Sequence, residues 1–188
     1  MAKASILTPF ILYWEGGDKY SEISADKGGP TKYGITLATW QKVGYDKNGD
    51  KHITKEDVKL LTMADFNMVF QRTFWTKLMA DDILDQSVAN MVVDFAYNSG
   101  VGRAAKHLQT VVGVTPDGVV GSKTIAAVNN YKFSAKALFN ALKADRIKYL
   151  KGVAAGNASQ KRFLAGWLNR VNSIRYGSLV YNKKEYTF

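Results

Sequence analysis

Residues 15–35 read EGGDKYSEISADKGGPTKYGI, and this stretch decides how the start of the chain folds. Apolar residues recur at helical spacing before it, which predicts a mostly buried helix. They are Ile6, Leu7, Phe10, Ile11 and Trp14. Gly16 and Gly17 then give the stop signal expected where a helix ends. Glu15 is therefore predicted to be the last side chain of this helix, placed where the backbone turns away.

Two carboxyl groups in this stretch indicate acid–base chemistry. Partial burial favours the protonated form of a carboxyl group, and a protonated carboxyl can protonate a leaving oxygen. Glu15 is a candidate for this role, and Asp26 follows eleven residues later across a turn, where it can face Glu15 over a cleft. Glycoside hydrolysis needs such a pair. The alternative is that Glu15 is a solvated helix end and Asp26 an ordinary turn residue.

The order E-G-G, a spacer, and then D-K-G-G-P-T-K-Y-G-I-T resembles the signature of the glycoside hydrolase family 108 muramidases, which cut peptidoglycan. The resemblance covers residues 15–36 and keeps the order and most of the spacing. It implies that Glu15 is the general acid and, less directly, that Asp26 is the second carboxylate. A looser similarity to phage endolysin lysozymes implies that Thr31 belongs to the same active site.

Three further residues are candidates for substrate binding. Residues 94–100 read DFAYNSG, another phrase shared with the family. Asn98 and Ser99 are predicted just after a helix over residues 83–97, where they can contact an N-acetyl group or a hydroxyl; the alternative is an Asn cap at the helix end. Tyr33 is a candidate for stacking on a sugar ring, with core packing as the alternative. Asp94 and Tyr97 are predicted to pack or cap.

Residues 45–61 read YDKNGDKHITKEDVKLL and match most of the EF-hand calcium-loop pattern. The candidate ligand set is Asp46, Asn48, Asp50, His52 and Asp57. The pattern has two departures: Lys51 stands where glycine is usual, and the last ligand is Asp instead of Glu. The sequence predicts a structural Ca²⁺ site and no cofactor for the chemistry. The alternative is a polar loop that turns at Asn48 and Gly49.

Residues 102–129 read GRAAKHLQTVVGVTPDGVVGSKTIAAVN, which resembles the helical peptidoglycan-binding module. The pattern predicts a helix, a glycine-rich loop and a second helix capped by Ser122. Open backbone donors in such a loop can hold a carboxylate or amide of a wall peptide. The alternative is a tight helix–loop–helix without a ligand. Two more helices are predicted over residues 134–153 and 159–176.

Composition limits the possible functions. The chain of 188 residues has no cysteine, which excludes disulfides and thiolate chemistry. Residues 1–100 contain 11 Lys and Arg against 13 Asp and Glu, whereas residues 101–188 contain 15 against 3. A basic half fits a polyanionic partner. Nucleic acid and the bacterial wall are both polyanions, and no nucleic-acid motif is present, so we expect peptidoglycan and not nucleic acid.

The apolar start of the chain is too short to span a bilayer and lacks a small-residue cleavage site. We therefore expect no stable membrane insertion and no signal peptide. The expected protein is a monomer that is made in the cytoplasm and acts on the cell wall after holin-type or other export.

These observations predict a mainly α, lysozyme-like helical fold with at most a small β-hairpin near residues 20–35. Residues 1–100 are the expected catalytic domain, with the EF-hand-like loop at 46–57, and residues 101–188 the helical peptidoglycan-binding domain packed against it. The resemblance implies an N-acetylmuramidase. The alternatives are a lytic transglycosylase, which needs no second carboxylate, and a non-catalytic peptidoglycan-binding protein.

Overall fold

The computed structural model describes residues 1–22 and 29–188. Asp26, the predicted second carboxylate, lies outside the described residues. The described chain is mainly α, which confirms the predicted fold class. The α-helices in chain order are α1 (Ala4–Trp14), α2 (Leu37–Val43), α3 (Lys55–Lys59), α4 (Met63–Phe70), α5 (Gln86–Ser99), α6 (Val101–Val112), α7 (Ser122–Asn129), α8 (Ala135–Gly156) and α9 (Leu164–Ser173).

Helix α1 ends where the sequence predicts. Its inward face, with Leu7, Phe10 and Ile11, is fully buried. Glu15 is the residue that caps its C-terminus, and both following glycines have positive φ angles of 87° and 80°. Glycine adopts this left-handed backbone without a steric cost. The chain therefore reverses directly after Glu15, which leaves its side chain at the helix end.

A short antiparallel hairpin lies beside this helix end, in the region where the sequence predicts one. Strand β1 (Thr31–Lys32) pairs with β2 (Ile35–Thr36). The two turn residues, Tyr33 and Gly34, have φ angles of 54° and 72°. Two consecutive positive φ angles are typical of the type I′ turn that closes two-residue hairpins. The turn places Gly34 so close to the side chains of Glu15 and Tyr97 that a Cβ atom at this position would meet both.

Apolar residues at helical spacing predict a helix over residues 62–79 with Thr62 as its N-cap. This helix is broken in the structure. Its start is confirmed, because Thr62 and Asp65 form a reciprocal capping box at the N-terminus of α4. The α-helix then stops at Phe70 and continues as a π turn and a 3-10 turn. The sequence also predicts that Asp81 or Asp82 opens the helix over residues 83–97, but Asp85 caps this helix by accepting a hydrogen bond from the Val88 amide.

Helix α5 is the centre of the molecule. All residues from Ser87 to Ala96 are buried, so the helix is covered on every side. It contacts α1 and the strand β3 (Ile174–Arg175) as well as α6 and α8. Helices from both halves of the sequence thus share one core around α5. Within the described residues, no helix is long and apolar enough to cross a membrane.

The glycine-rich loop before α7 is closed by one buried side chain, Gln109. Its Nε2 donates to Asp117 Oδ1 and to the Val119 carbonyl at 2.7 and 3.0 Å, and its Oε1 accepts from the Gly118 amide at 2.9 Å. The expectation of open backbone donors here is therefore wrong for Gly118 and for Val119, whose amide binds Asp117. The predicted cap at Ser122 is also wrong, because α7 begins at Ser122 and follows Gly121 without a side-chain cap.

A second sheet at the end of the chain was not predicted. The antiparallel strands β3 (Ile174–Arg175), β4 (Ser178–Tyr181) and β5 (Lys184–Thr187) follow α9. The β4–β5 turn consists of Asn182 and Lys183, with φ angles of 50° and 58°. The turn contains no glycine, so it lacks the strongest sequence signal for a hairpin. Strand β4 packs against α1 and extends the core.

The turn beside Glu15 gives a first prediction. A Cβ atom at Gly34 would lie 2.9 Å from Tyr97 Oη. We expect Gly34→Ala to lower the free energy of unfolding by about 2–4 kcal/mol, because backbone strain and steric overlap add. Gly17→Ala is the matched control, since Gly17 also has a positive φ but no atom near the new Cβ. We expect Gly17→Ala to lower the free energy of unfolding by only about 1 kcal/mol.

Denaturant unfolding of the two variants measures this difference. Tyr97→Phe removes the oxygen that the new methyl group meets, so the double variant Gly34→Ala/Tyr97→Phe should recover the steric part of the loss. Equal losses for Gly34→Ala and Gly17→Ala would show that the contact with Tyr97 does not constrain the hairpin.

Candidate active site

Glu15 lies at the edge of a cleft of about 330 Å³ between α1, the β1–β2 hairpin, α2, α4 and α5. The walls are mostly apolar or aromatic. They are formed by Glu15, Gly34, Ile35, Thr39, Phe66, Val69, Phe70, Thr73, Phe74 and Tyr97. The side chain of Glu15 keeps 30% of its surface exposed, so a ligand in the cleft can reach its carboxylate. One carboxyl group in an otherwise largely apolar cleft is a candidate for proton transfer.

Arg170 binds this carboxylate from the other half of the sequence. Its Nη1 donates to Glu15 Oε1 at 2.7 Å, although 155 residues separate the two. Arg170 comes from α9, and only 8% of its side-chain surface is exposed. A nearly buried guanidinium has few rotamers, so it fixes the position of the carboxylate that it binds.

Asp94 fixes the position of Arg170 by accepting two hydrogen bonds from its guanidinium. Its side chain is fully buried in α5, and its Oδ1 accepts from Nε and Nη2 of Arg170 at 3.0 and 2.8 Å. Arg146, from α8, pairs with Asp94 Oδ2 at 2.7 Å. Burial alone would raise the pKa of Asp94, but the positive charges of Arg170 and Arg146 outweigh it and hold this pKa below its usual value.

Burial and neighbouring charges also act in opposite directions on the pKa of Arg170. Burial disfavours the charged guanidinium, but Asp94 and then Glu15 stabilise it, and the pKa of Arg170 is raised above its ordinary value. The cluster of Glu15, Arg170, Asp94 and Arg146 thus contains two carboxyl groups and two guanidinium groups. It joins α1, α5, α8 and α9 in one network.

Tyr97 supplies a neutral polar group to the cleft. Burial and the nearby charge of Glu15 raise the pKa of its phenol, so the hydroxyl keeps its proton at neutral pH. Its ring contacts Phe74 with a centroid distance of 4.9 Å, and the guanidinium of Arg170 lies 5.9 Å from its centroid. The sequence predicts Tyr97 as a packing or capping residue, and the structure places it in the cleft as well.

Thr31 and Tyr33 both lie on the hairpin. Thr31 is half-buried, pairs with Ser21 through the backbone and donates from Oγ1 to the Gly29 carbonyl at 3.3 Å. Tyr33 occupies the turn and is half-buried. Neither Thr31 nor Tyr33 is among the described residues that line the Glu15 cleft. Their predicted roles beside Glu15 and Asp26 stay predictions.

Asn98 and Ser99 lie in the last turn of α5, inside the helix that was predicted to end before them. Asn98 Nδ2 donates to the Asp94 carbonyl at 2.8 Å. Both residues line a second cavity, which also contains Arg146 and Arg170. Their predicted contact with substrate therefore concerns this second cavity and not the cleft that Glu15 lines.

The EF-hand-like loop has a defined backbone. Asp46 accepts from the amides of Asn48 and Gly49 through Oδ1 and from Lys51 through Oδ2. Lys51 adopts a positive φ of 70°, so it makes the turn for which glycine is usual at this position. His52 donates its amide to Asp50 at 2.8 Å.

Asp57, the last predicted ligand, is fully buried and has both oxygens engaged. Oδ1 accepts from the Lys47 amide at 2.6 Å and Oδ2 from the Thr54 amide at 2.8 Å. Burial alone would raise the pKa of Asp57. The backbone donors lower it by more, so the pKa lies below its usual value. In the described residues, no group of three or more His, Cys, Asp or Glu is placed to hold a metal ion. The calcium site stays a prediction.

Comparisons with known proteins agree with this description. Residues 8–100 match the family model described as glycosyl hydrolase 108, and residues 103–172 match the model described as a predicted peptidoglycan domain. Among solved structures, the chain is similar to that titled "Structure of Brucella abortus SagA", with 35% sequence identity, a TM-score of 0.68 and coverage of 92% of both chains. No curated protein matches the chain.

The buried carboxylate gives a second prediction. Asp94→Asn leaves two arginines without their shared negative charge, and breaking a buried pair typically costs about 3–5 kcal/mol. We expect a loss of this size in the free energy of unfolding at pH 7. Asp82→Asn, an exposed side chain, is the control and should change stability by less than about 0.5 kcal/mol.

The effect should depend on pH. Because the pKa of Asp94 is depressed in the folded state, its contribution is complete above the unfolded value near 4 and is lost as the pH falls through the folded value. The gap between wild type and Asp94→Asn should therefore shrink below about pH 4 in denaturant titrations. A gap that stays constant down to pH 2.5 would contradict the assigned ion pairs.

Proposed function

This chain belongs to glycoside hydrolase family 108, and we propose that it is an N-acetylmuramidase that hydrolyses the β-1,4 bond between N-acetylmuramic acid and N-acetylglucosamine. The chain is a glycosidase, and its second half matches a peptidoglycan domain, which makes peptidoglycan its partner. One observation carries the finer proposal: the carboxylate of Glu15 lies in a partly aromatic cleft and is fixed there by Arg170.

Glu15 is the proposed general acid. Arg170 binds Oε1, so we assign the transferable proton to Oε2. When Glu15 protonates the glycosidic oxygen, negative charge develops on its own carboxylate, and the guanidinium is already placed to stabilise that charge. Phe74 and Tyr97 line the cleft and offer aromatic faces to sugar rings.

Asp26 is the proposed second carboxylate, with Thr31 holding the attacking water. If Asp26 acts as a base, its carboxyl should lie about 6.5–9.5 Å from that of Glu15 and the product should be inverted. A separation of about 5 Å would instead indicate a nucleophile and retention. A lytic transglycosylase needs only Glu15 as acid and base, and it leaves an anhydro sugar.

Glu15→Gln tests the proposal directly. The amide keeps an oxygen that accepts from Arg170 but has no proton to transfer, so we expect release of soluble fragments from purified peptidoglycan to fall by a factor of about 10² or more. Mass spectrometry of the products is the measurement. Asp18→Asn is the control, because Asp18 is an exposed carboxylate in the same turn.

The end groups decide between the alternatives. Reducing N-acetylmuramic acid ends that vanish in Glu15→Gln support the muramidase. Anhydro ends would show a transglycosylase, and reducing N-acetylglucosamine ends would show a different cleaved bond. No fragments from the wild type, with peptidoglycan still bound, would leave a wall-binding protein without catalysis.

For the loop at residues 46–57 we propose a structural Ca²⁺ site. The positive φ of Lys51 and the oxygen donors of Asp46, Asn48 and Asp50 support this proposal, whereas the occupied oxygens of Asp57 count against a full ligand shell. Bound Ca²⁺ would stabilise the folded state by mass action. We expect 5 mM CaCl₂ to raise the thermal midpoint by about 2–4 °C over EGTA. The same shift with Mg²⁺, or in Asp46→Asn/Asp50→Asn, would contradict the site.

A further inference from the structure

A second cavity lies next to Arg170, the residue that binds Glu15 in the cleft. It has a volume of about 180 Å³ and is enclosed by the end of α5 and by α6, α8 and α9. Its lining residues are Asn98, Ser99, Arg103, Arg146, Tyr149, Leu150, Val153, Gln160, Trp167 and Arg170. The cavity and the cleft are connected through one side chain, because Arg170 lines the cavity and its Nη1 binds Glu15 in the cleft.

Three arginines line this small cavity. Arg146 and Arg170 pair with Asp94 beneath it, and Arg170 also binds Glu15. Arg103 stands at the rim, where it donates to the Ser99 carbonyl at 3.4 Å and lies over the Tyr149 ring at 5.2 Å. Among the described residues Arg103 pairs with no carboxylate, so the lining has positive charge in excess, which favours an anionic ligand.

One buried donor in the lining lacks an acceptor. The side chain of Arg146 is 3% exposed, and its Nε has no hydrogen-bond partner among the described residues. A buried polar group without a partner costs free energy, and an incoming acceptor would remove that cost. Asn98 and Gln160 add amide groups to the lining, and Trp167 and Leu150 add apolar surface. This set suits a carboxylate carried on a short, partly apolar chain.

We propose that this cavity binds a carboxylate on the side arm of N-acetylmuramic acid in the strand being cut. The inference rests on the proposed function, because it takes the sugar strand to lie in the cleft beside Glu15. Muramic acid carries a lactyl arm on O3 of the same sugar ring whose C1–O bond is cut, and this arm bears the stem peptide. The carboxylate has two possible sources: the stem peptide, or the lactyl group where the peptide has been removed.

Binding of the side arm in this cavity would determine which substrates the enzyme prefers. A carboxylate in the cavity is bound by the same guanidinium that fixes Glu15, so a strand with the correct side arm is positioned against the catalytic acid. Chitin oligomers have the same β-1,4 linkage but lack the arm and its charge. They should therefore be much poorer substrates.

The experiment compares three substrates: intact peptidoglycan, strands whose peptides an amidase has removed, and chitin oligomers. The variants are Arg103→Gln and, as the matched control, Lys106→Gln. Lys106 is an exposed cation one turn further along α6 and is not part of the lining. We expect Arg103→Gln to raise KM on intact peptidoglycan about ten-fold with little change in kcat. Lys106→Gln should leave both constants unchanged.

Comparison of the substrates shows whether the bound carboxylate comes from the stem peptide or from the lactyl group. A preference for intact over amidase-treated strands that Arg103→Gln abolishes identifies the stem peptide. An equal dependence on Arg103 with amidase-treated strands identifies the lactyl carboxylate. The synthetic stem tetrapeptide supplies a direct binding test: its free acid should bind the wild type more tightly than its C-terminal amide, by NMR titration.

Failure of this inference differs from failure of the proposed function. If the wild type cuts neither peptidoglycan substrate, the muramidase proposal fails. If it cuts both, and Arg103→Gln behaves like Lys106→Gln on each, the enzyme stands and the carboxylate site is overturned. Equal cleavage of chitin oligomers and peptidoglycan by the wild type would also overturn it.

Discussion

The ion pairs of Asp94 are the interaction on which the site depends. A carboxylate buried without a partner would lose its charge, and a buried guanidinium would be equally costly. Asp94 therefore requires Arg170 from α9 and Arg146 from α8. Glu15, the proposed general acid, is attached to the same cluster through Arg170. The segment that matches the peptidoglycan domain thus takes part in positioning Glu15 as well as in any contact with the wall.

Local signals were sufficient to predict the start of the site. The apolar spacing of α1 and the two glycines after Glu15 act within a few residues, so the helix end and the exposed acid follow from the sequence. The hairpin and the cap at Thr62 were predicted for the same reason. The C-terminal sheet was missed because its strands are short and its Asn182–Lys183 turn reaches positive φ without glycine.

The partners of Glu15 and Asp94 that are distant in sequence could not be predicted. Arg170 lies 155 residues from Glu15 and 76 from Asp94, and in a basic helix an arginine is by default a solvated residue. One signal did exist. Asp94 follows Val92 and Val93 and precedes Phe95 in a helix with apolar residues on all sides, which implies a buried charge and hence a buried cation. The sequence cannot say which of the 15 Lys and Arg in the second half supplies it.

The shape of the guanidinium explains why residue 170 is an arginine. Nε and Nη2 share one edge of the planar group and both donate to Asp94 Oδ1, whereas Nη1 points the opposite way to Glu15. A lysine has a single nitrogen on a flexible chain and cannot present two opposed sets of donors in one plane. Arginine also keeps its charge throughout the pH range in which proteins fold. The group beside Glu15 therefore remains a fixed positive charge, which suits the role of general acid that we propose for Glu15.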